Sequence, residues 1–382
     1  MDPVIAKGTC FPMFAYEVAQ SIDLDAAQRR LVSGGEMGTE RQTIKYKRRA
    51  PASFEYRPAP LHVTRSGEPL DVNGAGAGGG GGGGGGGWRT APGVEVVLYD
   101  FGALSVSYAM PLAGPLIDLP TLAEALWGNE RLLKDARRHV DEVLAELGPS
   151  CVRPRVADFV EDYSIFHIEA FTAPCDAAML WTTHALTVAQ VLRAAPHPLS
   201  QQEIADATLA RLSFGPNDAT IIDTDAAIMF DPEGEDIRDV IEFANTQLLE
   251  MRFLDHELDD VLEHSYERLL KRPRRPWPLS VGPDLRSLAR LELDAAILFE
   301  QVTNALKLVG DQFLARVYAL ASRRFHLGEW DTSISRKLQT IDGIYAKMAD
   351  RAATRRMEML EWIIILLFVL SIVLSIITLA PH

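Results

Sequence analysis

The spacing of apolar residues changes partway along this chain. Up to about residue 233 they come in short runs, several alternating with polar residues at the two-residue period of a strand. FPMFAYEVA is rich in strand formers, and Asp23 is placed to cap a helix over Asp25–Leu31. TIKYKRR and SFEYRPAPLHV then read as extended. Val94–Tyr108, VEVVLYDFGALSVSY, predicts two strands about a turn at Asp100-Phe101-Gly102. Helices are expected over Leu119–Ala125 and Asn129–Leu147, a long strand over Val156–Phe171 and a helix over Asp176–Arg193. LARLSF, ATIIDT and AAIMFD read as three short strands.

From Gly234 the period lengthens to that of a helix. Ile237–Leu270 carries Val240, Ile241, Ala244, Leu248, Met251, Leu254 and Leu258 at three- and four-residue steps. Pro273, Pro276 and Pro278 must end it, because proline cannot continue the hydrogen-bond ladder. A second long helix is predicted over about Leu285–Phe325 and a third from near Trp330. In the third, Ile334, Leu338, Ile341, Tyr345 and Met348 have coiled-coil spacing. The expected fold class is α+β. A mainly antiparallel sheet with helices occupies 1–233, a long-helix hairpin or coiled-coil region 234–361, and a transmembrane helix 362–380.

That last segment, WIIILLFVLSIVLSIITLA, has no charge and no helix breaker over nineteen residues, enough to span roughly 29 Å as a helix. Fourteen of its residues are Ile, Leu, Val or Phe, which favours insertion by roughly 4–8 kcal/mol before Ser371, Ser375 and Thr378 are counted against it. Trp362, Ile363, Ile364, Ile365, Leu366, Leu367 and Phe368 are the expected start of the anchor. Lys347, Arg351, Arg355 and Arg356 precede it, so the positive-inside rule places the N-terminal side in the cytoplasm. The opening MDPVIAKGTCFPMF has neither a secretory pattern nor an Arg-rich amphipathic start. A single-pass, tail-anchored protein is expected.

Composition adds limits. The formal charge of −14 argues against broad nucleic-acid binding. Two basic segments stand out, Lys45–Arg49 and Lys271, Arg272, Arg274 and Arg275, each read as a solvated loop or a contact for membrane or RNA phosphate. The three cysteines, Cys10, Cys151 and Cys175, fit a reducing compartment. Asn73–Gly87 is almost all glycine and predicts an unstructured loop inside the first domain. It contains a literal G-x-G-x-x-G (Gly74, Gly76, Gly79), but no strand leads in and no helix leads out, so a nucleotide site is rejected.

No catalytic constellation emerges. G-x-S-x-G, H-E-x-x-H and C-x-x-C are all missing. His184, beside Trp181 and Leu186, reads as a core or interface histidine. Asp223, Asp225, Asp231, Glu233, Glu235 and Asp236 lack EF-hand spacing and read as turn and helix-start acids. Asp255, Asp259, Asp260 and Glu263 read as the solvated face of a helix. No catalytic residue, cofactor site or metal site is assigned.

Four blocks resemble the RMND1/Rmd1-like (DUF155) family. FAYEVAQSIDLDAAQRRL is similar to its opening strand and helix, and VVLYDFGALSVSY to its F-D-x-G-x-x-V hairpin. ANTQLLEMRFLDHELDDVLEHSYERL is similar to its first long helix, and RMEMLEWIIILLFVLSIVL to its terminal anchor, with Leu360, Glu361, Trp362 and Ile363–Ile365 matching in place. The family's serine-histidine block is blurred here into TTHALTVAQVL (Thr182–Leu192), and the glycine run is an insertion. The resemblance implies a membrane-anchored protein with no catalytic site to carry over. The family's mitochondrial members are implicated in organising translation at the inner membrane.

The expected function is therefore a non-enzymatic scaffold facing the cytoplasm, in a bacterial plasma membrane or, in a eukaryote, the mitochondrial inner membrane. Its expected partners are the lipid bilayer, other copies of itself through the long helices, and an unknown protein. The alternatives are a tether for ribosomes or RNA, and an enzyme with a dispersed site.

Overall fold

A long strand, β1 (Val4–Glu17), organises the sheet. The computed structural model describes residues 3–33, 39–41, 59–72, 87–215, 217–270 and 312–379. The basic segments Lys45–Arg49 and Lys271–Arg275, residues 73–86 of the glycine run and most of the second long helix lie outside the described residues.

After β1 come β2 (Ser21–Ile22), β3 (Thr39–Arg41), β4 (Leu61–Arg65), β5 (Val94–Leu98), β6 (Ala103–Tyr108) and β7 (Met110–Pro115). β8 (Cys151–Val152), β9 (Glu161–Phe171), β10 (Arg211–Leu212), β11 (Ala219–Ile222) and β12 (Ala226–Phe230) complete the strands. The sheet order is β10-β11-β12-β9-β1-β6-β5-β4-β3, with β7 pairing the first half of β1, while β2 and β8 form a separate ribbon. Among the described residues every pairing is antiparallel except β12 with β9, so the sheet is mixed. Parallel neighbours need a crossover connection, and the chain between β9 and β12 supplies it.

The helices are α1 (Leu24–Ser33), α2 (Leu119–Leu126), α3 (Glu130–Leu147), α4 (Ala185–Leu192), α5 (Gln201–Ala207), α6 (Glu235–Leu270), α7 (Gln312–Arg324) and α8 (Leu327–Leu379). Asn129 starts α3 by accepting from the backbone amides of Arg131 and Leu132 at 3.2 Å. The helix expected over Asp176–Arg193 is interrupted: a 3-10 turn at Ala177–Leu180 precedes α4, with His184 at the junction. In LARLSF only Arg211 and Leu212 are strand, because α5 takes up the chain before them. β9 starts later than Val156, since Arg155 and Ala157 donate to Val18 and Glu17 as a loop against the end of β1.

Strand alternation separates two faces. Phe14 and Tyr16, Val96 and Leu98, and Leu104, Val106 and Tyr108 belong to one apolar core with α1–α4. Of the opposite positions, Glu17, Glu95 and Ser105 meet α6, and Tyr163 meets Phe325 just after α7.

The Asp100-Phe101-Gly102 turn forms as expected, with Tyr99 donating to Ala103 at 3.0 Å. The carbonyl of Gly102 accepts from Val18 and Ala19, tying the hairpin to the end of β1. Gly102 has φ +110, and a Cβ there would lie 1.8 Å from the Ala19 oxygen, so only glycine fits.

Chain contacts group Met1–Phe253 with Glu300–Trp330 as one compact unit and Leu254–Phe299 with Asp331–His382 as another. In the second, Leu254, Leu258 and Val261 of α6 and Ile334, Ile341 and Ile344 of α8 are buried. Lys337 binds Asp255 at 2.8 Å and Asp259 at 2.6 Å, and Ser333 donates to Asp255 at 3.1 Å. Positions on the two helices meet in rising order, so they run side by side in the same direction. Asp255 is thus an interhelical partner, its side chain 16% exposed, and not part of a solvated face.

Candidate functional site

Two features of the described residues stand apart from ordinary packing: an exposed apolar helix and a buried polar seam. The apolar stretch is the Met357–Ser375 part of α8, which alone among the described residues is long and apolar enough to cross a membrane. None of it is buried; Trp362 is 71% exposed and Phe368 68%. Ile363, Ile364, Ile365, Leu366 and Leu367 are likewise exposed, so every expected anchor residue sits together on one uninterrupted helix. An apolar surface this continuous is far larger than a soluble monomer leaves in water.

The seam lies between α6 and the sheet. Val240–Met251 is buried on every side, although it includes Glu242, Asn245, Thr246, Gln247 and Glu250. At its start, Arg238 binds Glu95 of β5 and Asp239, both at 3.2 Å, and its guanidinium stands 4.7 Å from the Phe11 ring centroid. His62 of β4 meets the other Glu95 oxygen at 3.1 Å. Burial alone would depress the His62 imidazole, but the Glu95 hydrogen bond and the charges of Asp239, Glu95 and Glu242 outweigh it and raise it. Burial likewise works to raise Glu95, and the His62 bond and Arg238 overcome it and hold that carboxyl below its usual value. Further along, burial, reinforced by Glu95, pushes Glu242 up to about 7. Burial pushes Glu250 up to about 7 as well, against its hydrogen bond with Glu17.

The charged groups at the head of the seam spend their bonds on one another. Among the described residues no group of three or more His, Cys, Asp or Glu side chains is placed to hold a metal ion. Burial raises the thiol of Cys10, and that of Cys151 to about 11, which keeps both protonated at neutral pH. His184 is buried at the start of α4, as a core histidine would be. Asp231 accepts from the Glu233 amide at 2.9 Å, as expected of a turn acid. Asp223 does more than cap a turn: it is fully buried and bound by Arg193 at 2.9 Å and Arg324 at 2.6 Å.

Residues 7–236 match the family model described as "Uncharacterized protein MJ0711, N-terminal domain". The chain belongs to this family. It is 24% identical over 224 residues to "Uncharacterized protein MJ0711" of Methanocaldococcus jannaschii, covering 57% of this chain and 66% of the relative. The match thus spans just under two thirds of that relative's length. No solved structure matches this chain. The family match contains the sheet from Lys7 of β1 onward and α1–α5, and stops two residues inside α6. It therefore includes the polar sheet face but not the helix that covers it here.

Sequence reasoning missed the seam. Spacing gives little sign of it, because Asp239, Glu242, Thr246 and Glu250 recur at three- and four-residue steps as a polar stripe that the sequence alone does not distinguish from a solvent-facing one.

Proposed function

We propose that this protein is a non-enzymatic membrane-anchored scaffold, holding its α+β domain on the cytoplasmic side through the helices that lead into the apolar segment. The observation that carries this reading is α8, which passes from the buried positions Ile334, Ile341 and Ile344 into the exposed apolar stretch without a break. Such a helix satisfies its own backbone hydrogen bonds, as hydrocarbon requires, and presents only apolar side chains to lipid from Trp362 to Leu370. The basic residues before Trp362 support the cytoplasmic orientation. The RMND1/Rmd1-like resemblance belongs to this proposal, since its anchor block coincides with the exposed helix. Self-association through the long helices and an unidentified protein partner complete the reading.

Purifying the full-length protein from native membranes in mild detergent, with mass spectrometry and nucleic-acid quantification, tests it. A nucleic-acid-free complex of the protein with itself and one or two membrane proteins is the expected result. Ribosomal proteins and RNA that are lost in high salt would replace the scaffold with a ribosome or RNA tether.

A further inference from the structure

A recess opens where β9 and β12 both begin. These strands are parallel, with Ala226 opposite Ser164, so Asp225 and Asp162 stand at the same end of neighbouring strands. The Asp225 carbonyl accepts from the Ser164 amide at 3.3 Å, which fixes their offset. Both aspartates line the recess, whose empty volume is about 450 Å³ with its open mouth included. Phe14 of β1 forms part of the apolar wall, and Leu126 and Leu192 bring the last residues of α2 and α4 to it. Trp127, directly after α2, lines it as well and yet is 69% exposed.

Negative charge gathers here and the neighbouring cations are committed elsewhere. Arg252, whose charge acts on Asp162, is held by Glu161 at 2.6 Å. Arg193, which follows Leu192, turns its guanidinium to Asp206 at 2.6 Å and Asp223 at 2.9 Å. Asp162 accepts from its own amide and that of Gly128, and Asp225 from the Thr224 hydroxyl at 3.2 Å, so these bonds bring no positive charge. Burial, and then the nearby Asp225, hold the Asp162 carboxyl above its usual value. The carbonyl ends of two eight-residue helices, α2 and α4, add partial negative charge beside the same recess.

The walls select among cations. Calcium takes about six to eight oxygen ligands, and among the described residues no third acid or histidine joins these two aspartates as a metal group. Phe14, Leu126 and Leu192 suit an alkyl chain instead, and the indole of Trp127 offers both apolar area and a face that attracts cations.

We propose that this recess binds an aliphatic primary ammonium ion, its charge held by Asp162 and Asp225 and its chain against the apolar wall and Trp127. The ligand class is a free alkylamine or linear diamine, which carries its proton at neutral pH. The lining residues fall between Pro12 and Ala226, inside the family match and apart from the apolar part of α8, so the site does not depend on the membrane reading.

Calorimetric titration of the full-length protein in detergent with n-butylammonium chloride and with putrescine is the test. Saturable binding in about the millimolar range is expected. Asp162→Asn and Asp225→Asn should each weaken it at least about tenfold, and the double variant should abolish it. Trp127→Ala should weaken it about two- to fivefold. The change in tryptophan emission on binding should vanish in Trp127→Phe, while calorimetry still detects the ligand. If Asp162→Asn does not fold, Asp225→Asn and Trp127→Ala, both at exposed residues, supply the comparison. No saturable binding of either amine at about 10 mM, binding unchanged in the double variant, or binding of magnesium or calcium chloride in place of the amines would overturn the proposal.

Discussion

Arg324, in the last turn of α7, donates from Nε to Asp223 Oδ1 at 2.7 Å, joining positions 101 residues apart. Arg193 Nε meets the other Asp223 oxygen at 2.9 Å, and both arginines also bind Asp206 Oδ2, at 2.8 Å from Arg324 and 2.6 Å from Arg193. Two aspartates and two arginines thus close a square that holds α7 against α5 and the β11–β12 turn. Tyr163 adds a hydrogen bond to the Asp223 carbonyl at 2.9 Å.

Removing the buried corner should be costly, because it leaves two guanidinium groups underpaired. Asp223→Asn is expected to lower unfolding stability by about 3–5 kcal/mol. Asp206→Asn, at a carboxylate 44% exposed, should cost less than about 1 kcal/mol. Urea midpoints of the two variants check the order; equal losses would contradict the clamp.

Gly102→Ala should be among the most damaging single-methyl changes in the protein. The new Cβ would meet the Ala19 carbonyl, and φ of +110 is foreign to alanine. A loss of about 3 kcal/mol or more is expected, read as a fall in melting temperature. Gly328→Ala, where a Cβ would meet nothing within 4 Å, is the matched control.

His62 gives a pH dependence of definite sign. Its folded value lies above the ordinary 6.5, so the stability from its charged bond to Glu95 is complete below pH 6.5 and is lost as pH rises through the folded value. His62→Gln should cost about 1–3 kcal/mol near pH 6, and the difference from wild type should shrink as pH rises. A difference that stays constant from about pH 6 to about pH 9 would count against the charged bond.

The order of strands and helices was largely legible, because α2, α3 and the β5–β6 hairpin carry local signals: a clear apolar period, the Asn129 cap and Gly102. The exposed apolar helix at Met357–Ser375 was legible for the same reason, since an unbroken apolar run needs no tertiary information. Ala103, Ser105 and Ser107 alternate with Leu104, Val106 and Tyr108, a pattern that reads as one face in water. In the structure all six are buried, because α6 covers the small and polar face. Glu95 and Arg238, or Asp223 and Arg324, become partners only through the long-range topology, which spacing along the chain does not encode. The parallel β9–β12 pairing is of the same kind: it depends on the crossover, not on either strand's pattern.

Membrane integration is the central claim, and alkaline carbonate extraction of native membranes tests it most directly. Full-length protein should stay in the membrane pellet, while a form ending at Glu361 should be released in soluble form. The double variant Leu367→Arg and Leu370→Arg places two charges mid-span, at roughly 2.5–3.5 kcal/mol each, and should be released as well. Full-length protein extracted into the supernatant as completely as the truncated form would contradict the account.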